Sequence, residues 1–278
     1  MDTETWTWAP DETVLDKPNP ARIYDYLIGG YHNFEADRMV AEKMLALDPD
    51  MRLAAQAHRA FLRRMVNFLT GQGIDQFLDI GSGVPTVGNV HEVAQTANPA
   101  AHVVYVDIDP VAVTHSNAML QDNPNATAIR ADVRQPERIL NHAEVKNLLD
   151  FSQPVGVLLL SVLHYVTDDE EAYSAVRTLR DALAPGGYVA ISHASFEGIA
   201  HDIYERVSRL YAKSTAQNKM RSYAEIQQFF DGFELVEPGL VRTPLWRPEG
   251  PDDPFLDQPD RIMGFVGAGR KPQGTSFQ

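Results

Sequence analysis

The chain has 278 residues, of which 44% are hydrophobic, so it can bury a large core as one α/β domain or as a domain with an appendage. Its formal net charge of −14 argues against a nucleic-acid partner, because neutralising phosphates requires a basic surface. It contains no cysteine, which excludes disulfides, thiolate metal sites and iron–sulfur clusters.

The first part of the chain is predicted to be helical. Residues Pro20 to Asp48 favour two helices interrupted by Gly29-Gly30, and Met51 to Thr70 has apolar residues at helical spacing. The residues before them are polar, acidic and proline-bearing, as in a flexible arm. The predicted division is an arm at residues 1–19, a helical appendage or lid at 20–75 and the main domain at 76–278.

From residue 76, apolar runs typical of buried strands alternate with helical patterns. The predicted strands are Phe77–Ile80, Val103–Val106, Thr127–Ala131, Val155–Leu160, Tyr188–Ser192, Phe233–Val236 and Ile262–Ala268. Helices are predicted around Val87–Ala97, after Asp109-Pro110, from a capping box at Thr167, around Ile203–Lys213 and at Ser222–Phe230, and Pro244 to Asp260 is predicted to be an irregular loop. This alternation predicts a doubly wound parallel sheet with one antiparallel strand at its edge.

The first two strands carry a nucleotide-binding pattern. The first ends in the turn Asp79-Ile-Gly81-Ser-Gly83, and the second ends at Asp107. Glycines let the backbone approach a ligand, and an acid after the second strand can accept both hydroxyls of a ribose. The pattern therefore predicts a nucleoside ligand.

Three details favour S-adenosylmethionine over a dinucleotide. The third glycine of the dinucleotide motif is replaced by Thr86, which follows Pro85. Asp79 is an awkward neighbour for a pyrophosphate but suits a ligand with an ammonium group. Asp107 lies 26 residues beyond Gly81, whereas the dinucleotide spacing is about 20. A nicotinamide-dependent oxidoreductase is therefore disfavoured.

The motifs D-I-G-S-G, Y-V-D-I-D-P, R-A-D-V, L-L-L-S-V-L-H-Y and L-A-P-G-G occur in order between Gln76 and Lys271. In them the chain resembles the class I S-adenosylmethionine-dependent methyltransferases. The segment Pro20–Arg38 is similar to a narrower bacterial family of methyltransferase-like proteins. The resemblance implies a Rossmann-like α/β fold with seven strands ordered 3-2-1-4-5-7-6, strand 7 antiparallel, and S-adenosylmethionine as cofactor.

The resemblance also implies roles for individual residues. Asp107 would accept from the ribose hydroxyls and Ile108 would pack on adenine, while Asp132, beside the Val133 backbone, would accept from the adenine amino group. The methionine half would be lined by the backbones of Gly81, Ser82, Gly83 and Ser161, and Asp79 would hold its ammonium group.

The segment Pro20–Arg38 allows two interpretations. Gly29-Gly30 could simply end a helix in a conformation with positive φ. Alternatively, the polar and aromatic residues around the break could fold over the cofactor as a lid, with Arg22, Tyr26 and Tyr31 contacting a zwitterionic ligand.

Several polar residues have both a structural and a functional interpretation. His164, after the fourth strand, is either a hydrogen-bonded histidine at the rim of the sheet or a general base, and His193 is a weaker candidate. Asp109 is predicted to cap a helix, and the acids between Glu249 and Asp260 to lie in a solvated loop. A metal site is not expected, and the absence of cysteine excludes thiolate ligands.

We therefore expect a methyltransferase acting on a small or medium-sized acceptor, with neither nucleic acid nor membrane as a partner. A protein that binds the cofactor or its demethylated product as a sensor would share the same cofactor residues. The start of the chain is acidic and lacks the apolar stretch of a signal peptide, and no apolar run approaches the roughly 18 residues of a membrane span. A soluble cytoplasmic protein is expected.

Overall fold

The computed structural model describes residues 16–86, 88–198 and 217–273, together with Glu205 and Arg209. It begins with helices α1 (Pro20–Leu27), α2 (Glu35–Leu47) and α3 (Met51–Gly71). The side chain of Asn19 caps α1 by accepting from the Ala21 backbone N–H, and Pro20 occupies the first helical position, where its missing N–H costs nothing. Most of the predicted arm lies outside the described residues.

The described part of the chain contains an eight-stranded sheet. Its strands are β1 (Gln76–Ile80), β2 (His102–Asp107), β3 (Ala126–Arg130), β4 (Gly156–Leu160), β5 (Tyr188–His193), β6 (Glu234–Leu235), β7 (Val241–Arg242) and β8 (Phe265–Arg270). Their order is β3-β2-β1-β4-β5-β8-β6, with β7 also pairing with β8. The first five pair in parallel and β8 is antiparallel to its neighbours. The predicted order is confirmed, with β8 as the seventh strand; β7 is an addition too short to show a sequence pattern.

Helices cover both faces of the sheet. They are α4 (Val90–Ala97), α5 (Pro110–Leu120), α6 (Pro136–Leu140), α7 (Ala143–Leu148), α8 (Asp169–Ala182) and α9 (Tyr223–Gln228). The predicted helix at Ile203–Lys213 lies outside the described residues except for Glu205 and Arg209. Among the helices that are described, none has both the length and the hydrophobicity needed to cross a membrane.

The helix caps follow the local chemistry of the sequence. Asp109 caps α5 by accepting from the Val111 N–H at 2.9 Å, as predicted. The capping box of Ser222 and Glu225 begins α9. The start of α8 differs from the prediction: Asp168, rather than Thr167, is its cap, because the aspartate carboxylate accepts from the N–H three residues later.

Helix α3 is part of the core of the sheet. Phe61, Met65 and Leu69 are fully buried against residues of β1, β2 and β5. The buried Arg64 donates to the Trp246 carbonyl at 2.9 Å, fixing α3 to the loop that precedes β8. Helix α3, within the region predicted as an appendage, thus shares one hydrophobic core with the main domain.

The acids of the loop before β8 are mostly exposed, as predicted, but three of them form ion pairs. Asp253 pairs with Arg64 at 3.4 Å, and Glu249 pairs with Arg63 of the same helix. Asp260 pairs with Arg242 at 3.3 Å. Of these three acids Asp253 is the most buried, so its pair with the buried Arg64 contributes most to holding the loop against the folded domain. Apart from 3₁₀ turns at Thr243–Leu245 and Pro259–Arg261 it has no regular structure, as predicted.

Helices α1 and α2 form a smaller cluster with the start of α3, and Gly29-Gly30 ends α1. Gly29 has φ +85°, and the Gly30 N–H donates to the Asp25 carbonyl at 2.8 Å. A Cβ at Gly30 would overlap the buried Asp25 carboxylate, which accepts from the His32 backbone at 2.8 Å. The structure therefore shows that Gly29-Gly30 ends a helix, which is the first of the two interpretations.

Candidate functional site

The carboxyl ends of the parallel strands meet at one edge, and the strand order reverses between β1 and β4, where α/β sheets bind ligands. The turn after β1 lies there. Gly81 (φ +75°) donates its N–H to the Val106 carbonyl at 2.7 Å, and a Cβ at this position would overlap Val162. Gly83 has φ +70°. The turn therefore depends on glycine and leaves backbone close to any ligand.

Asp107 joins this turn to β2. Its carboxylate accepts from the Gly83 N–H at 2.7 Å and from the Asp109 N–H at 2.8 Å. Burial raises the pKa of Asp107 to about 6, because it disfavours the charged form. Since an ionised carboxylate has about four acceptor positions, two remain for the hydroxyls of a ribose.

Asp79 lies beneath the turn, at the end of β1, and is buried. It lines a small cavity whose walls also include Arg59, Ser82, Gly83, Asn89, Tyr105, Ser116 and Met119. Burial raises the pKa of Asp79 to about 7, although the positive charge of Arg59 acts in the opposite direction. A larger depression lies at the other end of the strands, beside Gln76 and His102, far from the predicted site residues.

Arg59 was missed by the sequence analysis. It comes from α3 and donates to the Asn89 side chain at 2.9 Å, at the start of α4. Its guanidinium and the Asp79 carboxylate thus bring opposite charges to one cavity. We call the glycine turn, Asp79, Asp107 and Arg59 the crevice. A zwitterionic nucleoside fits its donors and acceptors, since one charged group can meet each end of an amino acid.

The adenine side of the crevice combines an apolar and a polar group. The Ile108 side chain is 54% exposed beside Asp107, and Val133 is buried. Asp132 accepts from the Arg134 side chain and from its backbone N–H at 3.0 Å. Burial alone would raise the pKa of Asp132, but the hydrogen bonds from Arg134 hold it below its usual value. An exocyclic amino group would have to share Asp132 with this arginine.

Ser161, directly after β4, has the unusual φ of +59° for a residue with a side chain. Its Oγ lies 3.0 Å from Nε2 of His58 and 3.2 Å from Oγ of Ser192, and the His58–Ser192 distance is 2.7 Å. Burial, and then the charge of Arg59, lower the pKa of His58 to about 4, so this histidine is neutral at pH 7. We call these three residues the His58 cluster.

The two histidines singled out in the sequence differ in their partners. His193 has both ring nitrogens engaged, Nδ1 with the Ala194 carbonyl at 2.7 Å and Nε2 with Arg221 at 2.9 Å, and is therefore structural. His164 is only 7% exposed, and its Nδ1 has no hydrogen-bond partner among the described residues. Burial, followed by the nearby His193, His58 and Arg221, holds the pKa of His164 well below its usual value.

The N-terminal segment Pro20–Arg38 reaches the crevice. A Cβ at Gly83 would lie 3.7 Å from the Cβ of Ala21, so α1 passes directly over the glycine turn. The His32 ring lies 4.3 Å from that of His115 in α5, the helix that follows Asp107. The segment thus contacts the glycine turn through α1 and helix α5 through His32.

Two of the three predicted lid residues pair with acids in the helical region that contains them, and the third is exposed. The buried Arg22 forms an ion pair with Asp37 at 3.2 Å, and the Tyr26 hydroxyl donates to Glu42. The Tyr31 side chain is 94% exposed. Their contact with a cofactor is not seen in this arrangement and stays a prediction. The part of the chain that is described holds no group of three or more histidine or acidic residues able to bind a metal ion.

His58 and Arg59 were overlooked because they lie in a helix whose pattern indicates a core element. One signal was present: His58, Phe61 and Met65 share one face of α3, so a histidine continues an otherwise buried apolar stripe. A polar residue in such a stripe needs a partner, and here the partners are two serines at strand ends.

Comparisons with known proteins agree with this geometry. Residues 7–272 match a family model described as S-adenosyl methyltransferase. A solved structure of a candidate methyltransferase from Thermobifida fusca YX is 43% identical and covers 96% of this chain and 100% of its own, with a TM-score of 0.88. A DUF574-family protein from Streptomyces avermitilis is 36% identical, covering 93% of this chain and 99% of its own, with a TM-score of 0.88.

A more distant structure shares the fold. The N-methyltransferase NodS from Bradyrhizobium japonicum, in complex with S-adenosylhomocysteine, is 15% identical and covers 91% of this chain and 100% of its own, with a TM-score of 0.50. No curated protein matches in sequence. The predicted cofactor, S-adenosylmethionine, is confirmed at the level of the family. The chain belongs to the S-adenosyl methyltransferase family.

Proposed function

We propose that the protein transfers the methyl group of S-adenosylmethionine to a small or medium-sized acceptor at the ends of β4 and β5. The observation that carries this proposal is the crevice, in which Asp107 closes a glycine turn beside a cavity holding both Asp79 and Arg59. When bound, the cofactor supplies a methyl group on a positively charged sulfur. The comparisons support neither a sensor without turnover nor a nicotinamide-dependent oxidoreductase.

Asp79 and Arg59 would bind the amino-acid end of the cofactor. The ammonium group would be held by Asp79, because burial disfavours the charged form of this carboxyl even with Arg59 in the same cavity, and a second cation would stabilise it. The carboxylate would be held by Arg59, which has five N–H donors and is already oriented by its bond to Asn89.

Asp107 would accept from the ribose hydroxyls on its two remaining positions. Ile108 would pack on the adenine ring, with Asp132 and the Val133 backbone at its polar edge, and the backbones of Gly81, Ser82, Gly83 and Ser161 would line the methionine half. These assignments are the roles that the resemblance implies, and the residues lie at or directly after the strand ends where such a sheet binds its ligand.

The protein's contribution to methyl transfer would be alignment and the exclusion of water. Helix α1 already covers the glycine turn, so we propose that Pro20–Arg38 acts as a lid. His164 is one candidate for a group that receives a proton, because its Nδ1 is buried, neutral and without a partner among the described residues.

Calorimetry on the full chain tests the cofactor assignment. S-adenosylmethionine and S-adenosylhomocysteine should bind and NAD should not. Asp107→Ala should weaken binding by at least about tenfold, since each lost charge-assisted hydrogen bond is worth about 1.5–3 kcal/mol. NAD binding more tightly than S-adenosylmethionine, or unchanged affinity in the variant, would contradict the proposal.

Deleting residues 1–38 tests the lid. The shortened chain should bind S-adenosylhomocysteine more weakly while its circular dichroism still shows a folded sheet domain, because α3 and the sheet keep their shared core. Full affinity in the shortened chain would show that the segment serves only packing.

A further inference from the structure

The His58 cluster lies where the acceptor should meet the methyl group. Ser161 follows β4, and Ser192 lies near the carboxyl end of β5. His58 reaches them from α3, placing its Nε2 within 3.0 Å of both hydroxyls. The cluster is half-buried at Ser161 and His58, so a ligand at the strand ends could touch it.

The contacts of the cluster suit proton transfer. Ser161 is held in a left-handed backbone conformation, which costs about 1–3 kcal/mol and is typical of functional positions. Its Oγ can accept a hydrogen bond from an incoming hydroxyl while donating its own proton to Nε2 of His58. No acidic side chain of the described residues hydrogen-bonds to His58 or Ser161, so the nucleophile would meet an uncharged pair.

We propose that Ser161 and His58 form the proton-accepting pair of the acceptor subsite, and that the group methylated is a hydroxyl. This inference rests on the proposed function and names its acceptor class. A hydroxyl must lose its proton as it is methylated, whereas an amine can be methylated first and lose a proton to water later. A serine–histidine relay is therefore needed only for the hydroxyl.

The step balances in atoms and charge. The acceptor oxygen forms a bond to the methyl carbon, and the carbon–sulfur bond breaks with its electron pair remaining on sulfur. The proton of the hydroxyl passes to Ser161 Oγ, and the proton of Ser161 passes to Nε2 of His58. One positive charge is lost from sulfur and one appears on the imidazole.

The surroundings of His58 favour the return of that proton to water. Arg59 is adjacent in sequence and its charge disfavours the imidazolium. The Tyr24 ring of α1 lies nearly perpendicular to that of His58, with the ring centres 6.1 Å apart. The pair is thus reset to its neutral form after each transfer.

The first test needs no acceptor. In the full chain labelled with ring-¹⁵N histidine, Nε2 of His58 should give a pyridine-type signal at neutral pH, both free and with S-adenosylhomocysteine. The signal is assigned by its loss in His58→Gln. A pyrrole-type Nε2 would donate to the serines and could not take a proton, which would overturn the proposal. Failure of the ligand to bind in calorimetry would instead refute the proposed function.

The second test separates hydrogen bonding from proton transfer. Glutamine at position 58 can still bond to the serines but is not a base, so His58→Gln should keep S-adenosylhomocysteine affinity within about threefold while lowering turnover by about 100-fold or more. His102→Gln, at the opposite end of the sheet, is the matched control and should behave as the original protein. Normal turnover in His58→Gln would reject the relay.

Turnover is measured as transfer of label from methyl-tritiated S-adenosylmethionine to a cell metabolite extract, with the labelled products separated by class. Label in methyl ethers supports the assignment. Label only in methylamines would overturn it, because an amine acceptor does not need the Ser161–His58 pair.

Discussion

The affinity for S-adenosylhomocysteine should rise with pH through the titration of Asp79. The raised pKa of about 7 means that the free protein holds a proton on this carboxyl near neutrality. The ammonium group of the ligand requires the ionised form. The ionised fraction grows from about one in eleven at pH 6 to about three in four at pH 7.5, so affinity should rise about eightfold over this range, while the ligand amino group stays mostly protonated.

Raising the pH should have the opposite effect on the stability of the free protein: ionisation of Asp79 raises the affinity for the ligand but lowers the free energy of unfolding. Because the folded-state pKa of Asp79 lies above the usual value of 3.8, its protonated form favours folding at low pH, and this contribution is lost as the pH rises through about 7. The shift of about three units corresponds to a contribution on the order of 4 kcal/mol. Asp79→Asn should therefore make the free protein more stable than the original at about pH 8.

Two measurements check these expectations. Calorimetric titration across this pH range should show the rise in affinity in the original protein and a weak, nearly flat affinity in Asp79→Asn. Asp107, with a pKa of about 6, adds a smaller dependence at the acidic end in both proteins. An equally steep rise in Asp79→Asn would refute the assignment of the ammonium group to this carboxylate, and urea unfolding at the same pH values tests the stability argument.

Three further outcomes are expected. Arg59→Met should weaken binding of S-adenosylhomocysteine by about tenfold or more but leave 5′-methylthioadenosine, which lacks the amino-acid end, nearly unaffected in calorimetry; an equal loss for both ligands would exclude the carboxylate contact. Gly81→Ala should destabilise the fold by about 1–3 kcal/mol in urea unfolding and weaken cofactor binding, because φ is +75° and its Cβ would overlap Val162; unchanged stability would mean that the turn can rearrange. His164→Gln should reduce turnover in the tritium assay more than it reduces cofactor affinity, and normal turnover would leave this histidine a structural role.

Local sequence patterns predicted the sheet and the glycine turn because their causes are local. Asp79, Gly81 and Asp107 lie at strand ends whose apolar runs are plain in the sequence, and the structure brings them to one crevice. His58 and Ser192 are 134 residues apart, and no local pattern links them. Their contact depends on how α3 packs on the sheet.

In the N-terminal segment, the residue type of Arg22 alone does not show which group compensates its charge. Arg22 is a cation near a helix break, which suggested a ligand contact. In the structure it pairs with Asp37, the acid of the following helix, and both are buried. The sequence cannot distinguish a ligand from a partner 15 residues away, because either one compensates the charge.

The attachment of α3 to the loop before β8 makes the crevice and that loop one cooperative unit. Arg59 lines the crevice, and Arg64, little more than one turn further along the same helix, is held by the carbonyls of Thr243 and Trp246. The loop cannot open without releasing a buried guanidinium, and α3 cannot shift without disturbing the crevice. A ligand bound by Arg59 should therefore slow amide hydrogen exchange around Trp246, far along the chain and outside the crevice.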